Sequence, residues 1–217
     1  PVDKQKKLIQ IGLFLAMILR IAMLSGISLL IQIKTTLFNV NLDWFSSNIS
    51  IQALILLAGG LFLLYKSTIE IFQKVEDIEE DPINKNLKSI SYSRALFQII
   101  LIDIVFSFDS ILTAVGMTNG IPYALWIMII SVIASIIIMM SFAAPVSRYI
   151  NKHPSLQILG LSFLLLIGFM LIAESAYLSN TTFFGSSIGR IPKGYLYFSI
   201  TFSLGIEMIN MRIRKRK

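Results

Sequence analysis

Cysteine is absent from this 217-residue chain, and histidine occurs once, at His153. Disulfides are thereby excluded, as are sites built on thiolate or clustered imidazole, so a metal ion would have to be held through oxygen. Charge is scarce as well. Asp, Glu, Lys and Arg make up 14% of the residues, where soluble domains carry roughly a quarter. What fills the space is hydrocarbon: 55% of the chain is hydrophobic and its mean hydropathy is +0.77. The linkers between the apolar runs are too short for a soluble domain of ordinary size, so residues 1–217 read as one integral membrane domain.

Crossing about 30 Å of hydrocarbon takes about 20 helical residues, and six segments have that apolar length. They are A (about Leu8 to Ile33), B (Ile49 to Phe72), C (Ser93 to Met117), D (Pro122 to Phe142), E (Leu156 to Ser175) and F (Pro192 to Asn210). The expected fold class is all-α, a polytopic transmembrane bundle. Pro122 and Pro192 are expected at helix starts, and Pro145 and Pro154 on either side of the D–E loop. Lys4, Lys6 and Lys7 precede span A as they would a signal peptide, but the run is too long and no small-residue cleavage site follows. It reads as a membrane helix of a chain incomplete or processed at its start, with residues 1–7 a cytoplasmic loop and 211–217 a basic cytoplasmic tail.

Positive residues set the orientation, because they accumulate in cytoplasmic loops. Fourteen fall on one side: Lys4, Lys6, Lys7, Lys74, Lys85, Lys88, Arg94, Arg148, Lys152, Arg212, Arg214, Lys215, Arg216 and Lys217. Three fall on the other, Lys34, Arg190 and Lys193, while Arg20 and Lys66 lie within spans. Both ends are therefore expected in the cytoplasm. The net charge of +7 reads as topology and attraction to anionic lipid, with no nucleic acid as partner.

"SIQAL" opens B at Ser50, "SLQIL" opens E at Ser155, and each helix runs on to a glutamate, Glu70 or Glu174. B runs inward and E outward in the topology above. Matching sequence in opposite orientations is the mark of inverted repeats, which transporters use to build a midmembrane site. On that reading C, D and E form one three-helix unit, and A and B are the last two helices of another.

Span C carries the chemistry, in "DIVFSFDS". At about 100° per residue, with Asp103 at 0°, Ser107 falls at about 40°, Asp109 at 240°, Thr113 at 280° and Ser110 at 340°. These five polar groups share an arc of about 160°, and Ile100, Ile104, Val105, Phe108, Ile111, Leu112 and Val115 occupy the opposite side. The two carboxylates lie about 4 to 5 Å either side of the midplane. Each would cost about 2.5 to 3.5 kcal/mol as a charge facing lipid. A cation, a proton or a basic side chain would remove that cost, and Arg20 at the centre of span A is the available base. Two readings follow. Either Arg20 pairs with one Asp while the hydroxyls bond to backbone carbonyls, or the arc lines a hydrated path for a hard divalent cation such as Mn²⁺ or Mg²⁺. One arginine cannot neutralise two separated carboxylates.

Lys66 and Glu70, one turn apart near the inner end of B, are expected to pair locally. Glu174 and Glu207 read as interfacial, His153 as a surface residue, and the run "EDIEED" at 76 to 81 as a solvated loop.

With these residues in view, the chain resembles the TerC family of integral membrane proteins, related to LysE-type exporters. The resemblance rests on "DIVFSFDSILTAVGM" (103 to 117), "GGLFLLYKSTIEI" (59 to 71), "HPSLQILGLSFLLLIGFMLIAE" (153 to 174) and "IPKGYLYFSI" (191 to 200). The last two blocks are most similar to the YoaE-type inner-membrane proteins of enterobacteria. The resemblance implies seven helices as two inverted three-helix repeats plus one, a bacterial inner-membrane location, and export of Mn²⁺ or similar cations as substrate, with no permanently bound cofactor. It puts Asp109, preceded by Asp103, at the acidic motif of the second repeat, with Ser107, Ser110 and Thr113 beside it. It also implies a helix before residue 1 and, in full-length YoaE-type relatives, cytosolic CBS-type domains after the last span, so the chain reads as a fragment.

No enzyme is expected. An intramembrane aspartyl protease needs two Asp sharing a proton across about 3 Å, whereas Asp103 and Asp109 are about 9 Å apart on one helix and rotated by about 120°. The alternative to transport is a noncatalytic scaffold or assembly factor whose polar arc binds partner helices. Association with a second copy is left open.

Overall fold

The computed structural model describes residues 12, 14–26, 36–79, 92–118 and 120–214. Residues 1–7, the outer parts of span A, the linker residues Lys85 and Lys88, and the tail 215–217 lie outside the described residues. The described helices are α1 (Phe14–Gly26), α2 (Ile51–Glu79), α3 (Tyr92–Thr118), α4 (Ala124–Asn151), α5 (Pro154–Leu178) and α6 (Lys193–Arg214). Four strands accompany them: β1 (Thr36–Leu42), β2 (Phe45–Ser50), β3 (Thr182–Phe183) and β4 (Ser186–Ser187).

Helices α2 to α5 are long and apolar enough to cross a bilayer. At 22 residues, α6 has the length, about 33 Å, but Tyr, Ser, Thr, Glu and Asn dilute it and it does not join those four. The six helices expected from sequence are present: four are strongly apolar, the sixth is more polar, and the first is described over Phe14–Gly26.

Two boundaries are corrected. Gly120 (φ 83°) and Tyr123 (φ 62°) take left-handed conformations, so Pro122 lies in a turn and α4 begins two residues later, at Ala124. Pro145 does not border a loop; it lies inside α4, which continues to Asn151. Lacking an N–H, Pro145 leaves the Ser141 carbonyl without its helical donor, a loss that a membrane helix absorbs locally. The break comes at Lys152 and His153, and Pro154 then starts α5, where the missing N–H removes no helical bond. Helix α2 extends to Glu79, so the first part of the acidic run at 76 to 81 is helical rather than loop.

The chain folds as two compact units, residues 1–35 with 86–149, and residues 36–85 with 150–217. The first holds α1, α3 and nearly all of α4. The second holds α2, α5, α6 and the sheet. The division follows the repeat read from the sequence: the middle helices of the two triplets, α1 and α4, share one unit, and their last helices, α2 and α5, share the other.

In the second unit α2 leaves the sheet and α5 returns to it, so the two run antiparallel, as an inverted pair must. Ala53, Leu56, Leu63 and Ser67 are buried along α2, and Gly60 completes their alternating three- and four-residue spacing. A Cβ on Gly60 would lie 2.8 Å from the Gly168 carbonyl oxygen and 2.8 Å from Ile172 Cγ1, and one on Gly168 would lie 3.0 Å from the Gly60 carbonyl oxygen. The backbones touch there because neither residue has a side chain, the device by which membrane helices gain dispersion contact without a hydrophobic driving force. Toward the sheet, buried Ser175 donates its hydroxyl to the Ala53 carbonyl at 2.6 Å. Ser175→Ala is expected to lower stability by about 1 kcal/mol, the scale of interhelical hydrogen bonds in membranes, read by reversible unfolding in mixed micelles.

The sheet is the element that sequence reading missed. Its order is β1-β2-β3-β4, antiparallel throughout. Two-residue turns close each hairpin, Asp43–Trp44 and Phe184–Gly185. In the second, Phe184 (φ 49°) and Gly185 (φ 78°) are both left-handed, the signature of a type I′ turn. Hydroxyl pairs Ser46–Thr182 (2.7 Å) and Ser47–Thr181 (3.0 Å) join the two hairpins. Asn48 N donates to the Ser179 carbonyl at 2.8 Å. The sheet thus caps one end of the α2–α5 pair.

Candidate functional site

In the first unit the buried stripe of α3 is Ser107, Phe108 and Ile111, which by helical geometry spans about 40° to 140° from Asp103. The packed face is thus mostly the apolar side, and the polar arc meets it at one edge. At that edge α1 supplies Arg20. Its Nε donates to Asp103 Oδ2 at 3.2 Å, and its terminal nitrogen contacts Asp103 Oδ1. Ser107, with no exposed surface, donates its hydroxyl to the same Oδ2 at 3.3 Å. A planar guanidinium against a carboxylate is the geometry that best offsets the desolvation of both ions. The side chains of Arg20 and Asp103 are 20% and 15% exposed, so this is an interior pair.

Asp109 lies on the far edge of the arc, half-buried and engaged in interactions of its own. Thr113 donates to the Asp109 backbone carbonyl at 2.9 Å, and Ser110 to the Ser107 carbonyl at 3.0 Å. Of the sequence-derived site, Arg20, Asp103 and Ser107 therefore come together. Ser110 stands one turn above them, and Asp109 with Thr113 stays apart. Lys66 and Glu70 belong to the other unit, where they form their own ion pair at 3.2 Å along α2. Glu174 pairs with Arg190 at 3.2 Å. Glu207, read as interfacial, has one carboxylate oxygen buried without a hydrogen-bond partner.

Above the Arg20–Asp103 pair, α1, α3 and α4 enclose an open cleft of about 450 Å³. Arg20, Ser110, Thr118, Ser131 and Ser135 give it polar groups, and Leu24, Ile111, Ala114, Met117, Ile127, Met128 and Val132 complete its wall. The α4 serines were not recognised from sequence. Their four-residue spacing puts them on one helix face, which was a usable signal. Ser131 bonds to the Ile127 carbonyl and Ser135 to the Val132 carbonyl, each at 2.8 Å. Such local bonding lets hydroxyls sit in apolar surroundings while their lone pairs remain open to the cleft.

Among the described residues no three Asp, Glu or His side chains converge on one point. The polar groups lining the cleft are hydroxyls and one guanidinium, and neither Asp103 nor Asp109 is among its lining residues.

The profile described as the Integral membrane protein TerC family matches residues 1–217. Curated relatives are similar along nearly the whole chain. A UPF0053 protein of Haemophilus influenzae is 40% identical over 205 residues, covering 94% of this chain and 78% of the relative. The UPF0053 inner membrane protein YgdQ of Escherichia coli is 38% identical over 208 residues, covering 96% and 78%. YoaE of the same organism is 37% identical over 215 residues, covering 99% of this chain but 38% of the relative. The likeness to YoaE noticed in the sequence is thus matched by YgdQ, a relative of which the chain covers far more. No solved structure matches.

Proposed function

This chain belongs to the TerC family of integral membrane proteins, and from that premise we propose that it is a transporter that exports a divalent cation, manganese or a similar hard ion. The observation that carries the reading is the pair of midspan carboxylates on α3: Asp103 is held by Arg20 and Ser107, and Asp109, nearly two turns on, lies half-buried on the other edge of the polar arc with interactions of its own. On this reading Asp109 is the carboxylate that a passing ion would meet, with Ser110 and Thr113 near it on α3. The distribution of basic residues, fourteen against three, supports both ends in the cytoplasm, and the relatives named inner membrane proteins support an inner-membrane location.

Asp109→Asn in the full-length protein, reconstituted in liposomes, is expected to reduce Mn²⁺ flux by roughly tenfold or more, since losing even an outer-sphere partner weakens a metal site on that scale. Unchanged flux in a folded variant removes Asp109 from the path. The neutral, hydrogen-bonded Arg20–Asp103–Ser107 cluster also fits the second reading, a noncatalytic scaffold. Recovery of a stoichiometric crosslinked partner, with no metal-dependent phenotype, would select it.

A further inference from the structure

The four-stranded cap has two chemically different faces. Side chains alternate along each strand, and the pairing register carries that alternation across the sheet. Leu42 pairs with Phe45, Phe45 with Phe183 and Phe183 with Ser186, while Phe38 pairs with Ile49 and Val40 with Ser47, so these residues share one face, apolar except for Ser47 and Ser186. The other face carries Asn39, Asn41, Ser46, Asn48 and Thr182. Ser47 and Thr181 are buried, so the apolar face is covered there. It is open on either side of that patch: Leu42 beside the Asp43–Trp44 turn and Phe38 at the opposite, helix-proximal end are both more than half exposed.

The turns are exposed and aromatic. The Trp44 ring stands 5.9 Å from Phe45 and 6.3 Å from Phe184, and Phe45 stands 5.1 Å from Phe183. Phe184 N donates to the Trp44 carbonyl at 2.8 Å, which fixes one turn against the other. Trp44 is 51% and Phe184 82% exposed. Phe184 also holds a left-handed backbone, where Asn or Gly is preferred and a bulky side chain is strained by about 1 kcal/mol or more. An aromatic ring held at a backbone-strained tip, and left bare, would be doubly unfavourable in water.

We propose that this face anchors the cap in the membrane interface, with Trp44, Phe184 and Leu42 inserted among the headgroups and upper acyl carbons of the adjacent leaflet. Continuity with the bilayer selects lipid as the occupant. β2 passes into α2 without a linker, and three residues separate α5 from β3, so both turns lie within about 20 Å of helix ends at the bilayer surface. Charge agrees: Asp43 is the only charged residue in 36–50, and 179–189 has none. Aromatic rings with little charge are what the headgroup zone selects.

The chain has two tryptophans, Trp44 and Trp126, so Trp126→Phe leaves Trp44 as the sole reporter. Reconstituted in phosphatidylcholine vesicles, Trp44 emission is expected to be quenched about twofold more by lipids with a nitroxide near the headgroup than by lipids with one near the chain end, and only weakly by aqueous iodide. Quenching mainly by iodide would place the turn in water and overturn the proposal. Protection from nitroxide and iodide alike would mean that protein, another chain or a second copy, covers the face, and would overturn it too. Phe184→Asn, which suits the left-handed turn and so keeps the fold, is expected to shift Trp44 emission to the red; an unchanged spectrum would remove Phe184 from the anchor.

Discussion

Arg20→Met is expected to destabilise the chain by about 3 kcal/mol, measured by reversible unfolding in mixed micelles, because it removes the guanidinium and leaves the Asp103 carboxylate in the interior with the Ser107 hydroxyl bonded to it. The pair is only 20% and 15% exposed, which places the figure at the low end of the range for a broken buried ion pair. Asp103→Leu alone should cost a similar amount, since it strands the guanidinium. The double replacement, Arg20→Met with Asp103→Leu, should recover most of the loss, because an apolar pair of similar volume has no ions to desolvate. A double mutant as unstable as the sum of the singles would mean that the two side chains do not depend on each other.

The second large effect concerns the glycine contact. A Cβ at Gly60 would come within 2.8 Å of backbone and side-chain atoms of α5, closer than carbon and oxygen can stand. Gly60→Leu is expected to part the α2–α5 seam and cost about 3 kcal/mol or more, and Gly60→Ala about 1 to 3 kcal/mol, as overpacking does. Gly160→Ala is the matched control. A Cβ there meets nothing within 4 Å, so the substitution should be neutral or slightly stabilising through helix propensity. Equal effects at the two glycines would show that close backbone approach is not what Gly60 provides.

The ion pair was legible in the sequence because Arg20 and Asp103 are both midspan charges with few ways to be satisfied, and a membrane interior forces such groups together. What sequence could not show was which carboxylate the arginine would take: periodicity places Asp103 and Asp109 on one arc but does not say which neighbour packs at which edge. The antiparallel α2–α5 pair was foreshadowed by the matched openings at Ser50 and Ser155, yet Gly60 and Gly168 as their meeting point depends on the crossing geometry, which short repeats do not encode. Pro145 misled because a proline usually ends a helix in water, whereas lipid leaves the backbone no better alternative than to continue. The sheet went unread although "FNVNL" alternates with a period of two, because β3 and β4 are two residues each and acquire strand conformation only from β2.

The Ser46–Thr182 bond spans 136 positions of sequence, and this separation orders events during synthesis. At about 5 to 20 residues per second, the first hairpin waits roughly 7 to 27 s on the ribosome's clock for its partner strand. The latch can close only after α3, α4 and α5 have been synthesised, so a closed latch reports that the chain between the two hairpins has been delivered.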